Sequence, residues 1–519
     1  MDAILPADLL APEAYLHAAG PVTLVETHIS WVFLTGGLAY KVKKPVAPGF
    51  LDFSTPALRR HFCEEELRLN RRFAPQIYLG LSRVTRGADG RVAIDGAGEV
   101  VDYAVRMRAF DREQELDRLL ERREVAAREL RDLGERLAAI HAVSPVADEA
   151  ATWCDPARTL RALQDASRDL AALWPEAGTR LRGLDAWADD AWMKIAARQH
   201  ARRAGGAFRE CHGDLHCGNV VRIDGRLTPF DALEFDPALS WIDPVSDLSF
   251  LLMDLDVRGH PEFAATTLDA WLTASGDFAG LAGLRLFLVH RALVRALVNG
   301  IRASQQPGDG PAQGARDRYL AAALRHAATP RPRLVVMGGV SGSGKSWLAE
   351  RLLAPLHAIR VRSDVERKRL AGLSPLAASG GTIYSKELTA MTYARLGDAA
   401  REIIAAGYTA IVDAACLQRR ERDALRALAH DCDVPFQLVW VTARAQVLKA
   451  RVMARRATAA DPSEATLDVL RSQQGFVEAP DADELAGGIQ LDTSDGVDLG
   501  HVTASLGGDG SVIGGDGPQ

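Results

Sequence analysis

Apolar and polar positions alternate in three short runs near the start of the chain, VTLVETH, SWVFLTG and LAYKVKKPV. Alternation of this period among β-branched and aromatic residues predicts strands, and Gly36-Gly37 predicts a tight hairpin between the second and third. The period then lengthens: STPALRRHFCEEELRLNRRFA repeats its apolar residues at the spacing of one helix face. QIYLGLSRVTR, RVAIDG and EVVDYAVRMRAF return to strand patterning. From about residue 112 to 210 helical spacing dominates, with a regular apolar stripe in VAARELRDLGERLAAIHAV.

The stretches QQPGDGPAQG and TPRPR enclose a last helical pattern, ARDRYLAAALRHA. Pro and Gly at this density mark a loop and then a linker, so a domain boundary is expected near residue 329. Beyond it, RLVVMGG and TAIVDAAC are continuous apolar runs, the pattern of strands buried on both faces of a parallel sheet. The end, GGDGSVIGGDGPQ, offers almost nothing to bury, and a disordered tail is expected over residues 507–519. The expected layout is thus an N-terminal α+β domain over 1–328 and a C-terminal α/β domain over 329–506. Within the first, a small lobe spans about 15–110 and a helical lobe about 111–328.

Composition narrows the function classes. A chain of 519 residues exceeds one compact core, and 47% hydrophobic with 25% charged residues is ordinary globular usage. A net charge of −6 supplies no positive field for a phosphate backbone, so no nucleic-acid partner is expected. The N-terminus lacks a basic start followed by an apolar run, and no stretch of about 18 apolar residues occurs, so no membrane association and a cytoplasmic location are expected. Six cysteines scattered from Cys63 to Cys432 give no disulfide framework. Oligomeric state is not legible.

The densest chemistry lies in CHGDLHCGN, residues 211–219. Zinc sites pair ligands such as C-x2-4-C with a second cluster; here the cysteines are six apart and no second cluster follows. A small sheet with one helix, joined to a helical part, is instead the layout of a two-lobed kinase. His212, Asp214 and Asn219 then give H-x-D-x-x-x-x-N, in which the aspartate takes a hydroxyl proton and the asparagine holds magnesium. VVRI-DG-RLTPF predicts a hairpin that returns Asp231 beside Asn219, with Pro229 confining it to a sheet edge.

With FDALEFD and WIDPVSDLSFLL added, residues from about 15 to 328 resemble the aminoglycoside phosphotransferase family, which has the protein-kinase-like fold. The resemblance implies Asp214 as catalytic base, Asn219 and Asp231 as magnesium ligands, and Asp247 as the buttress of the catalytic loop, with Asp243 its weaker companion. Asp247 is also placed to cap the helix that follows. The lysine for the nucleotide phosphates is Lys41 in AYKVKKPV, with Lys43 on the same face as second choice, and Glu65 or Glu66 is its helical partner. No G-x-G-x-x-G precedes this strand, so the loop near THISW must cover the phosphates differently.

The second domain carries G-x-x-x-x-G-K-S from Gly339 to Ser346, between an apolar strand and an amphipathic helix. That is the context a P-loop needs. Gly339, Gly342 and Gly344 let backbone N–H groups converge on phosphates, Lys345 reaches the β- and γ-phosphates, and Ser346 ligates magnesium. Ser363 and Glu366 have capping-box spacing, while Asp364 is placed to accept a hydroxyl proton with Arg367 holding an anionic group; both readings stand. Asp413, closing TAIVD, is expected in the metal shell. Arg451, Arg455 and Arg456 form either a solvated face or a cationic lid.

With RSDVERKRL, IVDAAC and RVMARR to PSEAT, residues 333 to about 505 resemble the P-loop small-molecule kinases near gluconate kinase, chloramphenicol phosphotransferase and the zeta-toxin group. The resemblance implies ATP, Mg2+ and a hydroxyl acceptor. The order of the two regions resembles a bacterial family described as bifunctional, an aminoglycoside phosphotransferase-like domain fused to an AAA family ATPase-like kinase domain, over almost the whole chain. The expected function is ATP-dependent transfer of a γ-phosphoryl group to small-molecule hydroxyls by both domains. The alternative is a ligand-responsive ATPase switch whose N-terminal domain binds ligand without catalysis.

Overall fold

Strands β1 (Thr23–Glu26), β2 (Ser30–Thr35), β3 (Leu38–Lys43), β4 (Tyr78–Arg86), β5 (Val92–Ile94) and β6 (Glu99–Arg108) form an antiparallel sheet ordered β1-β2-β3-β6-β4-β5. Gly36 and Gly37 turn β2 into β3 with φ of 58° and 78°, the twist a two-residue hairpin requires. Side chains alternate across this sheet. Ala104 joins Phe33, Tyr40 and Val42 in one core, and the adjacent Val105 joins Cys63, Leu67 and Tyr78 under the helix Pro56–Phe73 in another. That helix is capped by Thr55 and held to β6 by buried Arg59, which grips Asp102 at 2.9 Å.

The structure is a computed structural model. It describes residues 5–508 apart from 18–19, 48, 50, 149–150, 307, 330, 380–382, 384 and 459–460. The side chains at 456–458 also lie outside the described set, so the expectation for Arg456 rests there, as does most of the expected tail, 509–519.

The helical lobe includes Ala127–Val143, Arg158–Leu173, Gly178–Ala204 and Pro244–Val257. A short pair, β7 (Arg209–Glu210) and β10 (Trp241–Ile242), brackets the loop that carries Asp214. Between them β8 (Val220–Ile223) and β9 (Arg226–Pro229) form the hairpin read from VVRI-DG-RLTPF, with positive φ at Asp224 and Gly225. Pro229 pairs with Val220 at its open end, in a sheet of two strands where each is an edge.

The second sheet is parallel and ordered β12-β13-β11-β14-β15, with β11 (Leu334–Gly338), β12 (Ala358–Arg362), β13 (Thr409–Asp413), β14 (Phe436–Thr442) and β15 (Ile489–Asp492). Every residue of β11 and β13 is buried, which is why both read as unbroken apolar runs. This is the α/β P-loop fold, and the first sheet with its helices is the α+β kinase-like one.

Contacts divide the chain into two compact units. One holds Met1–Glu129, Ile140–Arg158 and His200–Leu251; the other holds Leu130–Ala139, Thr159–Gln199 and Leu252–Gln519. The helix Pro261–Ser275 therefore shares a unit with the parallel sheet and packs on β12.

Candidate functional site

Asp247 organises the first site. It lies inside the helix Pro244–Val257, fully buried, where its carboxylate accepts the backbone N–H groups of His212 at 3.1 Å and Gly213 at 2.8 Å, and meets His141 Nε2 at 3.2 Å. The expectation that it caps this helix is corrected: Asp243, just before the helix, accepts from Val245 N at 3.0 Å and pairs with Arg202. Burial would raise the Asp247 carboxyl, but His141 and the loop N–H groups outweigh it and hold it below its ordinary value. His212 is buried and bonded through Nε2 to Phe230 O at 2.9 Å, and burial pushes its imidazole down, toward the neutral form.

This clamp fixes the loop from which Asp214 projects, half-buried. Asn219 Nδ2 donates to the Asp214 backbone O at 2.9 Å and to its Oδ2 at 3.0 Å, so the asparagine amide oxygen is the atom left to face a cation. Phe230 N donates to Asn219 O at 2.9 Å and closes the hairpin base, which brings Asp231 to the same place. Asp231 takes a positive φ of 62° and donates its N–H to Tyr78 Oη at 3.0 Å. His216 stands 3.6 Å from Asp214.

Lys41 joins this set from β3. Its Nζ lies 2.8 Å from Glu66 and 2.6 Å from Asp231. Lys43, also on the same strand face, bonds Glu66 at 2.8 Å and Glu234. Lys41 retains 13% side-chain exposure against 1% for Lys43, so Lys41 is the lysine a ligand can reach. Glu66 is the helical partner and Glu65 is not: Glu65 faces outward and pairs with Arg68, because neighbouring helix positions point about 100° apart. Burial alone would raise the Glu66 carboxyl, but Lys41 and Lys43 hold it at about 2. The Lys43–Glu234 pair escaped sequence reading; its signal was a second lysine two residues along and an acid three residues after Asp231.

In the second site the loop after β11 runs into the helix Lys345–Arg351. Gly339 has φ 130°, and a Cβ there would stand 2.2 Å from Val441 O, so a side chain has no room. Lys345 is partly buried and donates to Val340 O at 2.9 Å, and desolvation lowers its ammonium to about 8, against the opposing pull of Asp413 and Asp364. Ser346 Oγ donates to Asp413 Oδ1 at 3.1 Å, while Asp413 Oδ2 is buried without a hydrogen-bond partner. A buried carboxylate oxygen with no hydrogen bond, beside a hydroxyl, is a donor set that suits magnesium.

Three expectations change here. The Ser363 capping box does not form: Ser363 is already helical, and Glu366 is buried between Arg369 at 3.3 Å and Arg395 at 3.0 Å. Arg367 is buried and donates to Thr389 Oγ1 at 2.9 Å, which ties it to the domain interior. Arg451 is a brace rather than a lid, bonding Thr493 Oγ1 at 2.7 Å and Thr493 O at 2.8 Å, while Thr493 in turn donates to Ser343 O at 2.7 Å. Asp364 is half-buried with its charge felt at Lys345, as is that of Arg455.

A kinase-like lobe with a clamped Asp214 loop, followed by a parallel sheet with a P-loop, defines a two-domain phosphotransferase. Residues 51–287 match the phosphotransferase enzyme family and residues 334–480 match the AAA domain family, so the chain joins one domain of each. An uncharacterized protein of Mycobacterium tuberculosis is 27% identical over 458 residues, covering 86% of this chain and 88% of its own. Among solved structures, a choline/ethanolamine kinase family protein from Mesorhizobium loti is 16% identical, covers 60% of this chain and 89% of its own, and has a TM-score of 0.35. A sugar kinase from Janibacter sp. is 23% identical over 36% of this chain and 99% of its own, with a TM-score of 0.27.

Proposed function

We propose that the chain is a bifunctional enzyme in which each domain transfers the γ-phosphoryl group of ATP to a hydroxyl of a small molecule. The observation that carries this is the Lys41–Glu66–Asp231 chain beside Asp214 and Asn219, present together with Lys345, Ser346, Asp413 and Asp364 in the other unit. In the first site, Asp214 accepts the acceptor's hydroxyl proton, and Lys41, oriented by Glu66, holds the nucleotide phosphates. Asn219 and Asp231 would hold Mg2+ there, as Ser346 and Asp413 would in the second. Bound magnesium neutralises charge on the phosphates; catalysis otherwise rests on positioning. In the second site Lys345 holds the β- and γ-phosphates and Asp364 takes the hydroxyl proton.

The acceptors are read as small molecules in the cytoplasm, with neither nucleic acid nor membrane as partner. Among the described residues no helix is long and apolar enough to cross a membrane. The test is to incubate the full chain with ATP, Mg2+ and a library of hydroxyl compounds and detect phosphorylated products by mass. Asp214→Asn is expected to remove one set of products and Lys345→Ala another. Release of inorganic phosphate alone, modulated by a ligand and indifferent to Asp214→Asn, supports the ATPase switch instead.

A further inference from the structure

Two arginines flank the carboxylate that would ligate magnesium at the P-loop, and each is tied to a different acid. Arg360 Nη1 stands 3.8 Å from Asp413 Oδ2 and Arg362 Nε stands 3.5 Å from it. Arg360 instead makes a two-pronged bond to Asp269, at 3.1 and 2.6 Å, and donates to the backbone O of Ser346 at 3.1 Å. Arg362 is bonded to Asp461 at 3.1 Å. Arg360 is buried, and Asp269 keeps only 12% side-chain exposure, so little solvent screens these charges.

A guanidinium inside a protein must satisfy its charge. Apart from Asp269, the acid paired with Arg360 is Asp413, loosely at 3.8 Å. Closing that gap to a hydrogen bond would put a fixed donor on the oxygen that a divalent ion needs. We infer that Asp269 and Asp461 are positioning residues that take the hydrogen bonds of Arg360 and Arg362, keep both guanidiniums from closing onto Asp413, and so leave its Oδ2 available for Mg2+. Asp269 lies on the helix Pro261–Ser275, within the stretch that matches the phosphotransferase enzyme family and outside the AAA match. The P-loop site therefore depends for its metal affinity on a residue that the other family contributes. This inference rests on the reading of Ser346 and Asp413 as metal ligands.

The experiment is a magnesium titration of fluorescent-nucleotide binding to the full chain, counting only the binding that Lys345→Ala removes. Asp269→Asn is expected to raise the magnesium midpoint roughly tenfold, the scale of one added charge contact in a partly buried site. Nucleotide binding without magnesium stays unchanged. The double variant Asp269→Asn/Arg360→Met, in which the freed Arg360 guanidinium is gone while Asp461 still holds Arg362, is expected to return the midpoint to the wild-type value. A folded Asp269→Asn with an unshifted midpoint, or a double variant as impaired as the single one, overturns the inference. Should Asp269→Asn not fold, Asp461→Asn decides: its midpoint rises if Arg362 is being held off, and an unshifted midpoint overturns the idea. A wild-type site indifferent to magnesium overturns the metal reading itself, and is told apart from a magnesium-dependent wild type whose midpoint ignores the variants.

Discussion

At Asp247 two backbone N–H groups and an imidazole converge on one buried carboxylate. An asparagine of the same shape has one acceptor oxygen and would turn N–H against N–H. Asp247→Asn is therefore expected to lower stability by about 2–4 kcal/mol, as urea denaturation would register, and to abolish transfer that depends on Asp214. Glu66 gives a pH signature. Its folded value of about 2 lies below its ordinary 4.5, so its contribution is full above pH 4.5 and is lost as pH falls towards 2. That shift corresponds to about 3 kcal/mol at neutral pH. Melting curves of wild type and Glu66→Gln should be farthest apart near pH 6 and converge towards pH 2; a gap independent of pH would contradict the ion-pair account. The sequence named Lys41 and Asp231 but left Glu65 and Glu66 unresolved. Three successive glutamates share composition and differ only in helix phase, which the chain reveals once Lys41 and Lys43 fix the facing side.

Elements bounded by strong turn chemistry were the most legible. The Gly36-Gly37 and Asp224-Gly225 hairpins lie where the alternation placed them, and the second delivers Asp231 beside Asn219. The P-loop was legible for the same reason, since its glycines answer a local steric demand. Gly339→Ala would set a Cβ against Val441 O, and nucleotide binding at this site should fall by at least tenfold, as equilibrium titration would show. Signals open to long-range competition were less reliable. Ser363 and Glu366 have capping-box spacing, yet Glu366 is taken by Arg369 and by Arg395 of a distant helix. Arg451 has the position of a lid residue, yet Thr493, 42 residues on, claims it as a brace. Arg451→Ala should thus weaken nucleotide affinity by loosening the loop; a change in turnover at unaltered affinity would restore the lid reading.

On the scale of the whole molecule, composition and punctuation separated an α+β region from an α/β one. They gave no hint that helices after residue 252 pack in one compact unit with the parallel sheet, because that packing runs through pairs such as Arg360 and Asp269, 91 residues apart. Paired charges of this kind look like solvated faces in a sequence. The bifunctional reading requires nucleotide at both sites. The most direct measurement is calorimetric titration of the full chain with a non-hydrolysable ATP analogue and Mg2+, in wild type, Lys41→Met and Lys345→Ala. Two sites in wild type and one in each variant is the predicted result. A single site that Lys345→Ala removes and Lys41→Met leaves intact would contradict it.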